Sequence, residues 1–450
     1  MITLTAIRAA LLRPRYLGRK PTRRQRRKRQ RGIALVMVMI AIAITLVITN
    51  QFGTATNVDM LAASNYRDQM RAHFLSRSAL ALAELVIRLQ QRIDNLAPGT
   101  QITDFADQVM LAFCGSPEEV RDAVGFSPGA VKGLGADIGQ CGINGAVQTE
   151  DNKINLNCAN GNTATAASLK AELDALVLFP AYDPIFEEAD AENYRRDRAT
   201  QAAAIVDYID ADGLRVRDRG TTEDYGYESL KDRYYAKNNY LDTVGELRLV
   251  RGVDDRFWTM FGSVFTVYGG CKTNLQTLTD TQLIAAILFL TAKNPNDPIL
   301  SNPQLLFQLA GLISKAKQYG ETFDKPADFV AYVKDPGGSV GALASKSGTI
   351  SGSAASAALT NGIPGLAGGQ KLGMELDVAK LSQIATTGPR RVYRIESWGQ
   401  IDRAQKNADG SPVFPSIRST ITGVWDTKVV PQNARKPPVP NGAWVFMKEE

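Results

Sequence analysis

The chain has 450 residues, 44% of them hydrophobic and 22% charged, enough for two or three domains around sizeable cores. Its formal charge of +6 belongs to one end: residues 1–32 hold twelve Lys/Arg and no acid, and the remainder holds 40 Lys/Arg against 46 Asp/Glu. A net-negative body repels a phosphate backbone unless basic residues cluster locally, so the charge gives no support to nucleic-acid binding. His73 is the sole histidine, which removes His-rich zinc sites and leaves little for a triad; no carboxylate pair is singled out by spacing, and a non-enzymatic role is expected.

Residues 1–32 form a basic leader, and the apolar run Ile33–Ile48, broken only by Thr45, follows it directly. At roughly 20 residues with its extension to Phe52 this run can span a bilayer, and no other segment can. Eleven Lys/Arg between Arg13 and Arg31 hold the leader in the cytoplasm by the positive-inside rule, so everything after Asn50 lies beyond the membrane. An amphipathic pattern at Leu61, Tyr66, Phe74, Leu75, Leu82, Val86, Leu89 and Ile93 continues the run, and the spacing predicts one helix over 33–95, ended by Pro98 and Gly99. Its second half must pack on the body.

Residues 100–147 read as short helical patterns with glycine-rich turns. Lys153–Asn157 and Val264–Leu275 read as half-buried strands, each with an Asn-Leu pair beside a cysteine. Between them the apolar spacing is helical, giving an inserted all-helical domain over 161–263, with the sheet-bearing body at 96–160 and 264–430. Capping boxes are expected at Thr243/Glu246 and Thr279/Gln282, and Leu283–Leu290 suits a buried helix. Residues 335–385, rich in Gly, Ser and Ala, read as a flexible loop; strands resume at 391–401 and 416–429, and 431–450 read as a C-terminal tail.

The four cysteines, Cys114, Cys141, Cys158 and Cys271, contain no C-x-x-C, and beyond an inner membrane two disulfides are expected. The expected pairing is Cys114–Cys141 and Cys158–Cys271, the latter because these two flank the similar Asn-Leu strands. Asp210-Ala-Asp212-Gly213 sets two carboxylates before a glycine turn, as hard-cation loops do, with Asp207 before it and Glu223 and Asp224 after. It is not an EF-hand, because the twelfth position is Thr221. The five acids converge on a cation only if residues 213–222 fold back; otherwise they are a solvated loop.

Lys28-Arg-Gln-Arg-Gly32 followed by Ile33-Ala-Leu-Val-Met37 looks like a prepilin-type leader. With Ala204–Asp212, Leu241–Gly252 and Lys153–Asn157, the chain resembles the minor pseudopilins of the type II secretion protein K family. The resemblance implies cleavage by prepilin peptidase between Gly32 and Ile33 with methylation of the new N-terminus. It also implies a pilin-like α+β fold: a long N-terminal transmembrane helix, an antiparallel sheet and a large all-helical insertion. The fifth mature residue is Met37, where pilin-like subunits usually carry a glutamate, a departure known in this family. Calcium binding in the inserted domain is implied, as is a place at the tip of the pseudopilus. There the subunit joins other minor pseudopilins and the major pseudopilin, starts pseudopilus assembly, and supports export of folded proteins across the outer membrane. The implied location is the inner membrane, single-pass, with the body periplasmic.

The rival is a membrane-tethered periplasmic DNA-uptake protein, since Glu246–Gly252 is similar to a helix-hairpin-helix. Its second hairpin glycine is missing, and Asp254 and Asp255 stand where a phosphate would approach.

Overall fold

The computed structural model describes residues 23–96, 101–114, 139–189, 194–195, 197–216, 221–223, 227–318, 321–336, 372–402, 415–429 and 442–450. Most of the leader lies outside them. Two compact units are present, residues 1–70 and 71–450. In the first, helix α1 (Arg23–Leu96) runs through Gly32 without a break, and from Ile33 it is long and apolar enough to cross a membrane. Its large apolar side chains from Ile33 to Ile48 are all exposed, and Thr45 and Thr49 donate back to the carbonyls of Ala41 and Thr45 at 2.8 and 2.7 Å. Those bonds satisfy the hydroxyls inside the helix, which is what a hydrocarbon surround requires.

In the second unit, the end of α1 is followed by α2 (Ala106–Cys114) and by strands β1 (Gln140–Ile143) and β2 (Gln148–Thr149). After a helical body the chain returns as β7 (Val392–Ile401), β8 (Ile417–Asp426) and β9 (Ala443–Glu449). These make a five-stranded antiparallel sheet ordered β1-β7-β8-β9, with β2 also on β7. Alternation is visible in β7, where Tyr393, Ile395 and Ser397 are buried between half-exposed Arg394 and exposed Glu396. The sheet packs on Leu80, Ala83, Val86 and Ile87 of α1, joined by Ala106 and Met110 of α2. Strand and helix come so close at Gly399 that a Cβ there would run into the Ala72 carbonyl oxygen and lie 2.6 Å from Ser76 N. Only glycine fits.

The helical body has one continuous core, from Ile154 to Ala385. Its elements are β3 (Ile154–Asn155), α3 (Thr163–Leu176), α4 (Arg198–Asp207), α5 (Asp255–Phe261) and β4 (Phe265–Thr266). Then come β5 (Thr273–Asn274), α6 (Thr281–Thr291), α7 (Pro303–Gln318), α8 (Pro326–Lys334), α9 (Val378–Ile384) and β6 (Ala385–Thr386). The two sets are variants of one plan. β3 pairs parallel with β4, and β5 with β6, matching Asn155 to Thr266 and Asn274 to Thr386. Asn155 Oδ1 accepts from Asn157 N and Asn274 Oδ1 from Gln276 N, both at 3.0 Å, while the two amide groups donate to Gly269 O and Gly388 O. Asn162 and Asp280 then cap α3 and α6, which pack together.

Four sequence expectations change. The helical insertion is not confined to 161–263: residues 264–386 share its core, because α6 is buried against α3 and α7 rather than against the sheet. Residues 443–449, read as tail, form β9, since Trp444 covers Trp425 and donates to Glu84 at 3.1 Å. Residues 372–385, read as loop, pack as β-bridge and helix, with Met374 and Leu376 buried; 337–371 lie outside the described residues. Asp280, not Thr279, caps α6, whereas the Thr243/Glu246 box is present. Both disulfides form, Cys114–Cys141 and Cys158–Cys271.

Replacing Gly399 with alanine is expected to destabilise the chain by about 2 kcal/mol or more, since backbone on both sides of the contact must move. Urea denaturation of the detergent-solubilised protein checks this, and an unchanged midpoint contradicts it. A second outcome concerns Glu172 on α3. It is buried where the matching position of α6 is Leu290, and burial pushes its carboxyl up to about 8. A carboxyl raised in the fold supports stability fully below its unfolded value near 4.5 and loses that support as pH rises through 8. Glu172→Gln should therefore be more stable than the parent at pH 9 and equal to it at pH 4.5.

Candidate metal centre

Helix α4 is an alanine-rich segment buried from Gln201 to Asp207, small enough to lie inside the helical body, with Asp207 at its last turn. Asp210 N still bonds Val206 O at 2.9 Å, so the backbone turns once more before the loop begins. The loop does fold back: Leu214 bridges Thr222, and Arg215 N donates to Thr221 O at 3.2 Å. That return brings Glu223 beside the helix end. One carboxylate oxygen from each of Asp207, Asp210 and Glu223 lies within 4.8 Å of the others.

All three residues are buried. Asp207 Oδ1 accepts from Val216 N at 2.9 Å, whereas Asp210 Oδ1 and both carboxylate oxygens of Glu223 are buried without a partner. Burial first, and then the Asp207 and Asp212 charges, push Asp210 up to about 7; burial, Asp210 and Asp207 push Glu223 up to about 8. Asn238, which sequence reading missed, completes the wall. It holds the left-handed backbone at φ 46°, donates from N to Tyr208 O at 3.1 Å and from Nδ2 to Asp212 O at 2.9 Å, and keeps a buried Oδ1 without a partner. A lone asparagine in a turn has no spacing that marks it; only its αL backbone does.

Of the five expected ligands, three therefore converge. Asp212 does not: it is exposed, and its Oδ1 accepts from Leu214 N at 2.9 Å, closing a local turn instead. Asp224 lies outside the described residues. The donors that do converge are all oxygen, with no imidazole or thiolate, which fits a hard divalent cation such as calcium. Three carboxylates leave water and further oxygens to complete six or more.

The remaining candidates stand apart from this centre. Met37 is exposed on α1, and no acid occupies Ile33–Ile48. His73 is half-buried beside the Phe74 ring. The hairpin at Val250–Val253 does turn at Gly252, with φ 88°, but Asp254 caps α5 and pairs with Arg256 at 2.7 Å, while Arg248 pairs with Asp255 at 2.7 Å. Both arginines are engaged by acids at the very helix start a phosphate needs.

A long N-terminal helix apolar enough to cross a membrane, an antiparallel sheet on its second half and an inserted helical body define a pilin-like α+β protein. Residues 152–269 match the family model of the type II secretion system protein K, first domain. No curated protein sequence matches the chain. A chain of the GspK-GspI-GspJ complex from the enterotoxigenic Escherichia coli type 2 secretion system is similar at 15% identity and a TM-score of 0.45, over 87% of this chain and 99% of that one.

If the centre takes calcium, a saturating cation should raise the melting temperature of the full chain in detergent by on the order of 5 °C over its value in chelator. Asp210→Asn should erase that response and melt no lower than the parent in chelator, because one unneutralised carboxylate is gone. Identical melting in calcium and chelator shows the cluster to be a charged loop.

Proposed function

We propose that the chain is a minor pseudopilin at the tip of the type II secretion pseudopilus, non-enzymatic, which starts pseudopilus assembly and supports export of folded proteins across the outer membrane. The observation that carries this reading is the protein K domain at 152–269, set in a chain that begins with a basic leader and an apolar helix. Prepilin peptidase cuts after Gly32, leaving a methylated Ile33 at the start of a helix retained in the inner membrane, with the body periplasmic. The partners are other minor pseudopilins and, below them, the major pseudopilin.

Two structural features support the terminal position. Residues 150–391 stand between β2 and β7, a mass that would clash with the next subunit inside a closely stacked filament and meets none at a tip. Met37 supplies no carboxylate to pair with the N-terminal amine of a subunit, the contact that would compensate a charge in lipid. Calcium fits as a structural ion at Asp207, Asp210 and Glu223, holding the loop after α4.

Intact-mass analysis of the protein from membranes is expected to show an N-terminal, methylated Ile33, and the protein is expected to co-purify with other minor pseudopilins. A mature chain beginning after Ala55 would remove the helix and sink this reading.

A further inference from the structure

The two disulfides differ in access. Cys114 and Cys141 are both buried, whereas the other bond joins buried Cys158 to exposed Cys271, with exposed Gly270 and Lys272 on either side. Beside that bond lies a cavity of about 10 Å³, the space of one water, lined in part by Cys158, Cys271 and Glu172. Glu172 is 5% exposed, and burial alone raises its carboxyl; among the described residues no charge on the elements packed against α3 shifts it. Lys153 is the other charged residue on the cavity, and Glu150 holds it at 3.1 Å. The internal repeat shows that the fold does not need this acid. Three residues past the matched Asn155 and Asn274 stand Cys158 and Thr277, and ten past the matched caps Asn162 and Asp280 stand Glu172 and Leu290. The repeat without the disulfide is also without the acid.

We propose that Cys158–Cys271 is a redox-active disulfide, opened and re-formed by a thiol–disulfide oxidoreductase through exposed Cys271, with Glu172 as the proton donor and acceptor of Cys158. A thiolate of the partner's dithiol attacks Cys271 Sγ and the S–S bond breaks. Its electron pair leaves on Cys158 Sγ, which takes the proton of the Glu172 carboxyl, directly or through one water in the cavity. The partner's second sulfur, its proton lost to water, then displaces Cys271 as a thiolate; Cys271 and Glu172 both regain a proton from water. Two electrons pass from the dithiol, which ends as a disulfide, to the chain, which ends with two thiols. In the reverse direction the Glu172 carboxylate removes the Cys158 proton, and the resulting thiolate closes the bond on a Cys271 held by an oxidised partner. The acid matters because a thiolate expelled into the buried site of Cys158 is costly unless it is protonated at once. The bond ties the turn after β3 to the link between β4 and β5, so opening it frees the join between the two repeats.

The test mixes the full chain in detergent, both disulfides formed, with dithiothreitol at pH 6 and pH 9, quenches by alkylation, and follows each disulfide by peptide mass mapping. At pH 6 Cys158–Cys271 is expected to open at least tenfold faster than Cys114–Cys141. It should also open at least tenfold faster than in Glu172→Gln, whose amide has no proton to give. At pH 9, where the carboxyl is ionised, parent and variant should differ by about threefold or less. Comparing the two at one pH cancels the ionisation of the reductant. Glutathione, a monothiol, should be trapped on Cys271 and not on Cys158. Glu172→Leu, which copies the second repeat, serves where Glu172→Gln melts lower than the parent. Equal rates in parent and variant at pH 6, a parent-to-variant ratio that is the same at both pH values, or glutathione on Cys158 overturns the proposal. So does opening of both disulfides at one shared rate, which would assign reduction to unfolding of the whole body.

Discussion

A chain that leaves a sheet at Thr149 and regains it at Val392 needs both ends of the detour held, and one carboxylate holds them. Asp151 Oδ2 accepts from the Arg391 and Val392 amides at 2.5 and 3.0 Å, and the Asp151 carbonyl accepts from Asn274 N at 2.7 Å. The sheet, the first helical repeat and the second therefore meet at one residue. Burial raises the Asp151 carboxyl even so, against the hydrogen bonds that favour its charge. Its neighbours are arranged to carry the surrounding charge: Arg391 forks Asp426 at 2.9 and 2.8 Å, and Glu150 lies between Lys153 at 3.1 Å and Arg394 at 2.5 Å. Burial acts upward on Glu150, and those two cations outweigh it, so its carboxyl sits below the ordinary range. Removing one member of such a buried set costs roughly 3–5 kcal/mol.

The cluster after α4 obeys the same electrostatics with the opposite result. There, too, carboxylates are buried, but no lysine or arginine pairs with Asp210 or Glu223 among the described residues, and both carboxyls are driven upward. A fold that pairs Glu150 and Asp426 with cations at its central joint, and gives Asp151 two backbone amides, yet leaves Asp210 and Glu223 without a cation at a loop, has set that loop apart. The backbone supports the contrast: Asn238 is the one non-glycine residue with positive φ among the described residues, and it clamps the loop through Asp212 O. Holding an asparagine in the left-handed region while its Oδ1 stays buried and unpaired makes chemical sense where that oxygen has a ligand to meet.

Much of this was legible in the sequence, for reasons that can be named. The long helix announces itself by period, and the Asn-Leu pairs beside Cys158 and Cys271 show their kinship because the same side-chain turn is built twice. The acids at 207, 210 and 223 were legible as a set only through the requirement that 213–222 return. What was missed lacked a local signal. β9 is seven residues isolated from the other strands, and it is a strand only because β8 offers Val424 and Trp425 to pair with it. The boundary of the helical body was set too early because α6 is apolar all round, which reads equally as the core of either module. Its true neighbours, α3 and α7, are tertiary facts. Asp212 was taken for a ligand on spacing alone, while a hydrogen bond to Leu214 N claims it.

The direction of β7 fixes where the helical body attaches. Its far end, at Gly399, touches α1 at Ala72 and Ser76. Its beginning lies beside Arg390, which binds Thr103 and Asp104 at 3.3 and 2.6 Å, and those residues are tied to Gln90. β7 thus runs antiparallel to α1, and residues 150–391 join the sheet at the C-terminal end of that helix, the end remote in sequence from the apolar segment.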